Sequence, residues 1–120
     1  MVNRQVFLFW LANGLLALVF IQHGISAFVS EHYLEEMKEF GFPEYFVPAH
    51  GIAKIFGGIF LLIPKKTFLK HWAYSGMFFN LIFASIAEYQ IGEFPFFQLL
   101  LVFLLMLAYY AYLKFAPFRA

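Results

Sequence analysis

The chain has 120 residues, of which 63% are hydrophobic, 23% aromatic and only 12% charged, with a net charge of +1 and no cysteine. An ordinary soluble domain carries about 25% charged residues, so this composition excludes a soluble fold with a water-facing surface. The basic residues are scattered among short loops, which excludes a nucleic-acid-binding stripe, and the missing cysteine excludes disulfides, thiol relays and thiolate-held zinc or iron–sulfur centres.

A bilayer crossing takes about 20 apolar residues, so the length allows four spans with short connections and no separate soluble domain. The expected fold is all-α: one integral membrane four-helix bundle over residues 1–120, with a short amphipathic interfacial helix between the first and second spans. The first span is read from Val6 to about Val29, broken only by Asn13, Gly14, Gln22, His23, Gly24 and Ser26. A cleavable signal core is normally 7 to 15 residues long, and this longer run reads as a retained span.

From Ser30 to Glu44 the character changes. Glu31, Glu35, Glu36, Glu39 and Glu44 stand among Tyr33, Leu34, Met37 and Phe40 at helical spacing. Ser30 is a fitting N-cap, and Gly41 and Pro43 stop the segment. It reads either as an amphipathic helix with its apolar edge dipped into the membrane interface or as a solvated connector.

The second span runs from about Phe46 to Ile63 and ends at Pro64, after which Lys65, Lys66 and Lys70 make a basic turn. The third runs from about Trp72 to Ile91. After the turn Gly92-Glu93-Phe94-Pro95 the fourth runs from Phe96 to about Leu113, where Tyr109, Tyr110 and Tyr112 suit an interfacial aromatic belt. Arg4, Lys65, Lys66, Lys70, Lys114 and Arg119 fall on one side of this topology and only Lys38 on the other. Short cytoplasmic loops retain Lys and Arg, so both termini are expected to be cytoplasmic. The expected location is a bacterial inner (plasma) membrane, as a multi-pass protein.

His23, Lys54 and Glu88 interrupt the apolar runs, and a charge at the centre of a span costs roughly 2.5 to 3.5 kcal/mol on insertion scales. Lys54 lies about 12 Å along the axis from the outer start of the second span, with His50 one turn above it on the same face. Glu88 and His23 lie near the outer ends of the third and first spans, so all four groups belong to the outer half of the membrane. Asn80, Ala84 and Glu88 share a face, and Gly57 and Gly58 continue the face of His50 and Lys54 and permit close helix approach.

A Lys54–Glu88 ion pair is the obvious arrangement. It either fixes helix register alone or belongs to a working site. His23, His50, Lys54, Glu88 and Asn80 are therefore the candidate ligand-binding residues, each with a structural reading beside the functional one. Asn13, Gln22, Asn80 and Ser85 read as hydrogen bonds between helices, and His32 and His71 as loop residues without a signal. No catalytic residue and no metal site is identified, and no cofactor is certain.

The stretch His50 to Pro64, opening with Gly51-Ile52-Ala53-Lys54, then Trp72-Ala73-Tyr74-Ser75-Gly76 and Phe79-Asn80-Leu81-Ile82, resembles the DoxX-like family of small four-helix integral membrane proteins. Gly41-Phe42-Pro43 also matches, and the likeness covers nearly the whole chain. Lys54 stands where many such proteins carry Lys after Gly-x-Ala. Asn80 stands in place of an Asp and Glu88 in place of a His. The resemblance implies links to a membrane subunit of a thiosulfate to quinone oxidoreductase, to membrane complexes that handle oxidative stress and, distantly, to receptor assembly.

Two readings of function stay open. One is an accessory or assembly subunit of a membrane complex, with a protein partner or a second copy of the chain beside the lipid bilayer. The other is a membrane redox subunit binding a quinone-like molecule in the outer-half polar pocket, Lys54 or His23 donating to a carbonyl and Glu88 moving the proton. A small transporter is a third. Nucleic acid is not an expected partner.

Overall fold

In a computed structural model of the chain, residues 4–63 and 68–115 are described. Five helices account for nearly all of them: α1 (Arg4–Val29), α2 (Glu31–Glu39), α3 (Phe46–Leu62), α4 (Phe68–Gln90) and α5 (Phe96–Phe115). No strand occurs among the described residues. Pro64, Lys65, Lys66 and Arg119, used above to end a span and orient the chain, lie outside them.

The ends of the helices follow from local chemistry. Ser30 adopts an extended backbone and its side chain accepts from the Tyr33 amide, which starts α2 at the expected N-cap. At the far end Gly41, with φ +96°, directs its own N–H to Lys38 O and that of Phe42 to Met37 O. Gly92, with φ +89°, does the same after α4, sending its N–H to Tyr89 O and that of Glu93 to Glu88 O. Both glycines close a helix by the left-handed cap that a side chain would strain.

α4 begins four residues before the expected span. Lys70 and His71 are therefore helical, and Lys70 is no member of an exposed basic turn: it is 1% exposed, with its ammonium 5.1 Å from the Phe9 ring centroid and 5.2 Å from that of Tyr112. The four-carbon stem lets Lys70 reach inward between two aromatic rings, which a count of charges along the sequence does not register.

α1 packs against α3 and α5, and α4 against α3 and α5, so these four helices are successive neighbours around a ring; α2 touches α1. α1 and α5 are long and apolar enough to cross a membrane, while α3 is apolar over 17 residues. α4 is long but carries Lys70, Asn80 and Glu88. The surface of the ring is strongly apolar, with Leu18, Phe83 and Phe103 all more than 60% exposed, whereas Asn13 is fully buried. This distribution is the one a hydrocarbon surrounding favours, since lipid does not penalise apolar side chains on the outside.

Asn13 binds three helices together. Its amide donates to Phe9 O at 3.0 Å and to Ala108 O at 3.2 Å, and its carbonyl accepts from the Tyr74 hydroxyl. The expectation of a bond between helices holds for Asn13 and for Asn80 of α4, which lies within hydrogen-bonding reach of His50 of α3, but not for Ser85 or Gln22. Ser85 donates to Leu81 O in its own helix, and Gln22 is exposed.

Candidate functional site

A cavity of about 400 Å³ opens at the end of the ring where α2 lies, and every helix contributes to its wall. Its volume falls within the range of small-molecule pockets. α1 supplies Phe20 and His23, α3 supplies His50 and Lys54, α4 supplies Asn80, and α5 supplies Gln98. Tyr33, Glu36 and Met37 of α2 form the roof. The apolar edge of α2 is thus turned onto the cavity.

Lys54 is half-buried on the wall of α3, and its ammonium donates to the Tyr33 hydroxyl at 3.0 Å. The nitrogen lies 5.5 Å from the ring centroid, beyond the hydroxyl end and not over the face, so the contact is a hydrogen bond and not a cation–π stack. Lys54 also lies close enough to His23 and His50 to act on both electrostatically, and Glu36 acts on Lys54 from the roof. Burial and then the Glu36 carboxylate hold the Tyr33 phenol above its ordinary pKa. The phenol keeps its proton, accepts from Lys54 and can donate that proton into the cavity.

The expected Lys54–Glu88 pair does not form. Glu88 stands near the C-terminal end of α4, where its Oε1 accepts from Gln98 Nε2 at 2.9 Å. It is outside the cavity wall and joined to it through Gln98. Shared depth in the membrane does not imply contact, because Glu88 and Lys54 also need the same bearing around their helices, and α2 offers Tyr33 to Lys54 from above.

His50 lies within hydrogen-bonding reach of Asn80 and stacks on Phe46, their centroids 4.9 Å apart. Phe46 stacks in turn on Phe42 at 4.9 Å with 15° between planes. Phe46 and His50 stand one turn apart on α3 and Phe42 just before it, so the three rings form a stacked aromatic run along the cavity wall. The His23 ring of α1 lies 6.0 Å from that of Phe97 of α5.

The cavity thus collects His23, His50, Lys54 and Asn80 and leaves Glu88 outside. Tyr33, Glu36, Gln98 and the Phe42–Phe46 stack were not singled out from sequence. The spacing of Tyr33, Met37 and Phe40 marked an apolar face, which carries no information on whether lipid or protein covers it. His32 and His71 are helical, against expectation. His32 Nε2 lies 3.9 Å from Glu36 Oε2, and His71 Nδ1 lies 3.2 Å from the Tyr109 hydroxyl.

A double-mutant cycle distinguishes the two partners proposed for Lys54. Lys54→Met and Tyr33→Phe are expected to couple by about 1 kcal/mol in unfolding free energy, the usual range for one hydrogen bond. Lys54→Met and Glu88→Leu are expected to be additive, and strong coupling between that second pair in denaturant titrations would refute the geometry.

A family model described as the DoxX-like family matches residues 11–110. The chain belongs to the DoxX-like family. The match runs from α1 into α5 and takes in every cavity residue named above. No curated protein and no solved structure matches the chain. Family membership and the apolar outer surface agree in making this DoxX-like chain a small helical membrane protein. Among the described residues of the DoxX-like chain, no group of three or more His, Asp or Glu side chains is placed to hold a metal ion.

Proposed function

We propose that this DoxX-like protein is a four-span membrane bundle that binds a lipid-soluble molecule with a planar, carbonyl-bearing head, quinone-like in chemistry, in the cavity beneath α2. One observation carries this reading. The cavity sets a cation, a protonated phenol and two imidazoles beside the stacked rings of Phe42 and Phe46. The aromatic lining suits a planar apolar ring, and Lys54, Tyr33, His23 and Asn80 suit its edge oxygens. Glu88, outside the wall, takes no part in holding the head.

The spans are α1, α3, α4 and α5, with α2 at the outer surface and both termini cytoplasmic. Arg4, Lys70 and Lys114 stand at one end of the ring, while α2 brings its glutamates to the other, which is the arrangement the positive-inside rule favours for a plasma membrane. The sequence has no cysteine, so a single introduced thiol reports its side cleanly. In intact cells an impermeant maleimide is expected to label Lys38→Cys and to reach Lys114→Cys only after lysis. The reverse pattern would overturn the orientation.

The functional test is native mass spectrometry of the protein drawn gently from its own membrane, with an absorption spectrum of the same sample. The expected result is a bound small molecule with quinone-type absorption that is lost in Lys54→Met. A protein free of small molecules and bound to another polypeptide would overturn the binding reading. The protein would then be an accessory or assembly subunit, a role favoured by its short connections.

A further inference from the structure

We infer that the molecule held in the cavity is an amphiphile whose apolar tail lies in a slot between α3 and α4 and reaches its head site sideways from the bilayer; this rests on the binding reading above. A second cavity, of about 240 Å³, adjoins the first and shares Phe20, His50, Lys54, Gly76 and Asn80 with it. The two spaces thus lie side by side, with these five residues at their junction. The second space turns away from the polar roof and continues past Ala53 and Gly57 of α3 to Leu69 and Trp72 of α4. From Asn80 to Leu69 is eleven residues of helix, about 16 Å along the axis. Beyond His50, Lys54 and Asn80 its lining is apolar or glycine.

Glycine has opposite uses on the two sides of α3. Facing α1, a Cβ on Gly51 or Gly58 would fall within 3 Å of atoms of the neighbouring helix, so these glycines bring the helices into contact. Facing α4, a Cβ on Gly57 meets only the flexible end of Met77, at 3.3 Å, and one on Gly76 meets nothing within 4 Å. Here the missing side chains leave space. A slot that begins at a hydrogen-bonding head site and runs through apolar walls on a lipid-facing seam has the form of a tail channel, and its occupant is the tail of the molecule whose head is bound next to it.

The experiment compares two probes, methyl-benzoquinone and dodecyl-benzoquinone, at matched mole fractions in nanodiscs, with occupancy read by native mass spectrometry. For the unaltered protein the dodecyl probe is expected to bind at least tenfold more tightly. Ala53→Phe and Gly57→Leu place bulk in the slot and not in the head cavity, and each is expected to reduce that ratio to about twofold or less. Lys54→Met, at the junction of the two spaces, removes the ammonium that holds the head and is expected to weaken both probes by a similar factor. If Lys54→Met weakens both while neither slot variant changes the ratio, the slot holds only annular lipid and the inference falls while the binding reading stands. If neither probe binds the unaltered protein, both fall together.

Discussion

Gly24→Val is expected to destabilise the protein by about 3 kcal/mol or more, enough to abolish a single folded state at moderate denaturant. A Cβ at Gly24 would lie 2.6 Å from Gly51 O and 2.6 Å from Ile55 Cγ1. Ile55 can move its side chain, but the opposing carbonyl belongs to the α3 backbone and moves only if the helix does. The same seam recurs one heptad away, where a Cβ on Gly58 would meet Ala17 O at 2.9 Å and Ile21 Cγ1 at 2.5 Å. α1 runs antiparallel to α3 here, pairing Ala17 with Gly58 and Gly24 with Gly51.

In lipid such contact is a large part of what holds helices together, since burial of apolar surface from water no longer distinguishes the associated state. Overpacking a tight site costs typically 1 to 3 kcal/mol, and a β-branched residue against backbone stands at the upper end or beyond. Gly14 supplies the control. A Cβ there meets nothing within 4 Å, so Gly14→Ala is expected to be neutral or to gain up to about 1 kcal/mol from helix propensity. Unfolding in mixed micelles followed by circular dichroism measures both. A loss below about 1 kcal/mol for Gly24→Val would mean that α1 and α3 do not cross as described.

Lys54→Met is expected to weaken binding of the head group ten- to a hundredfold while leaving the fold intact. A hydrogen bond to a charged donor contributes about 1.5 to 3 kcal/mol, and each 1.4 kcal/mol is a factor of ten in affinity. Methionine keeps the length and apolar bulk of the stem and removes the ammonium that burial penalises, so stability should hold or rise. Tyr33→Phe removes a neutral donor and is expected to cost about three- to tenfold in affinity. Glu88→Gln should change affinity by less than twofold, because Glu88 is held by Gln98 outside the wall. Titrations in nanodiscs decide among these, and retained affinity in Lys54→Met would remove the cation from the site.

The reach of the sequence differs from residue to residue. The Ser30 cap, the glycine stop at Gly41 and the turn at Gly92 were legible, because each is decided by a few neighbouring atoms. The boundaries of α1, α3 and α5 followed from apolar runs that end at polar or turn residues. Lys70 was misplaced because a lysine at a membrane border reads as solvated wherever the helix begins. Whether its stem turns to water or inward between Phe9 and Tyr112 depends on rings 61 and 42 residues away.

The candidate site divides along the same line. His23, His50, Lys54 and Asn80 could be chosen singly, because polar groups in apolar runs are anomalous by composition alone. Their partners could not. The choice of Tyr33 over Glu88 for Lys54 depends on how α2 folds back across the end of the ring, and helical phase within one span does not set the bearing of a side chain on another. The sequence by itself determined that this is a helical, membrane-type chain with polar groups set in its apolar runs, because composition, periodicity and capping act locally. Only the tertiary structure decided which of those groups meet, which glycines close a seam and which leave it open, because contact across helices is set by their rotation and separation, and those arise from the packing of the whole ring.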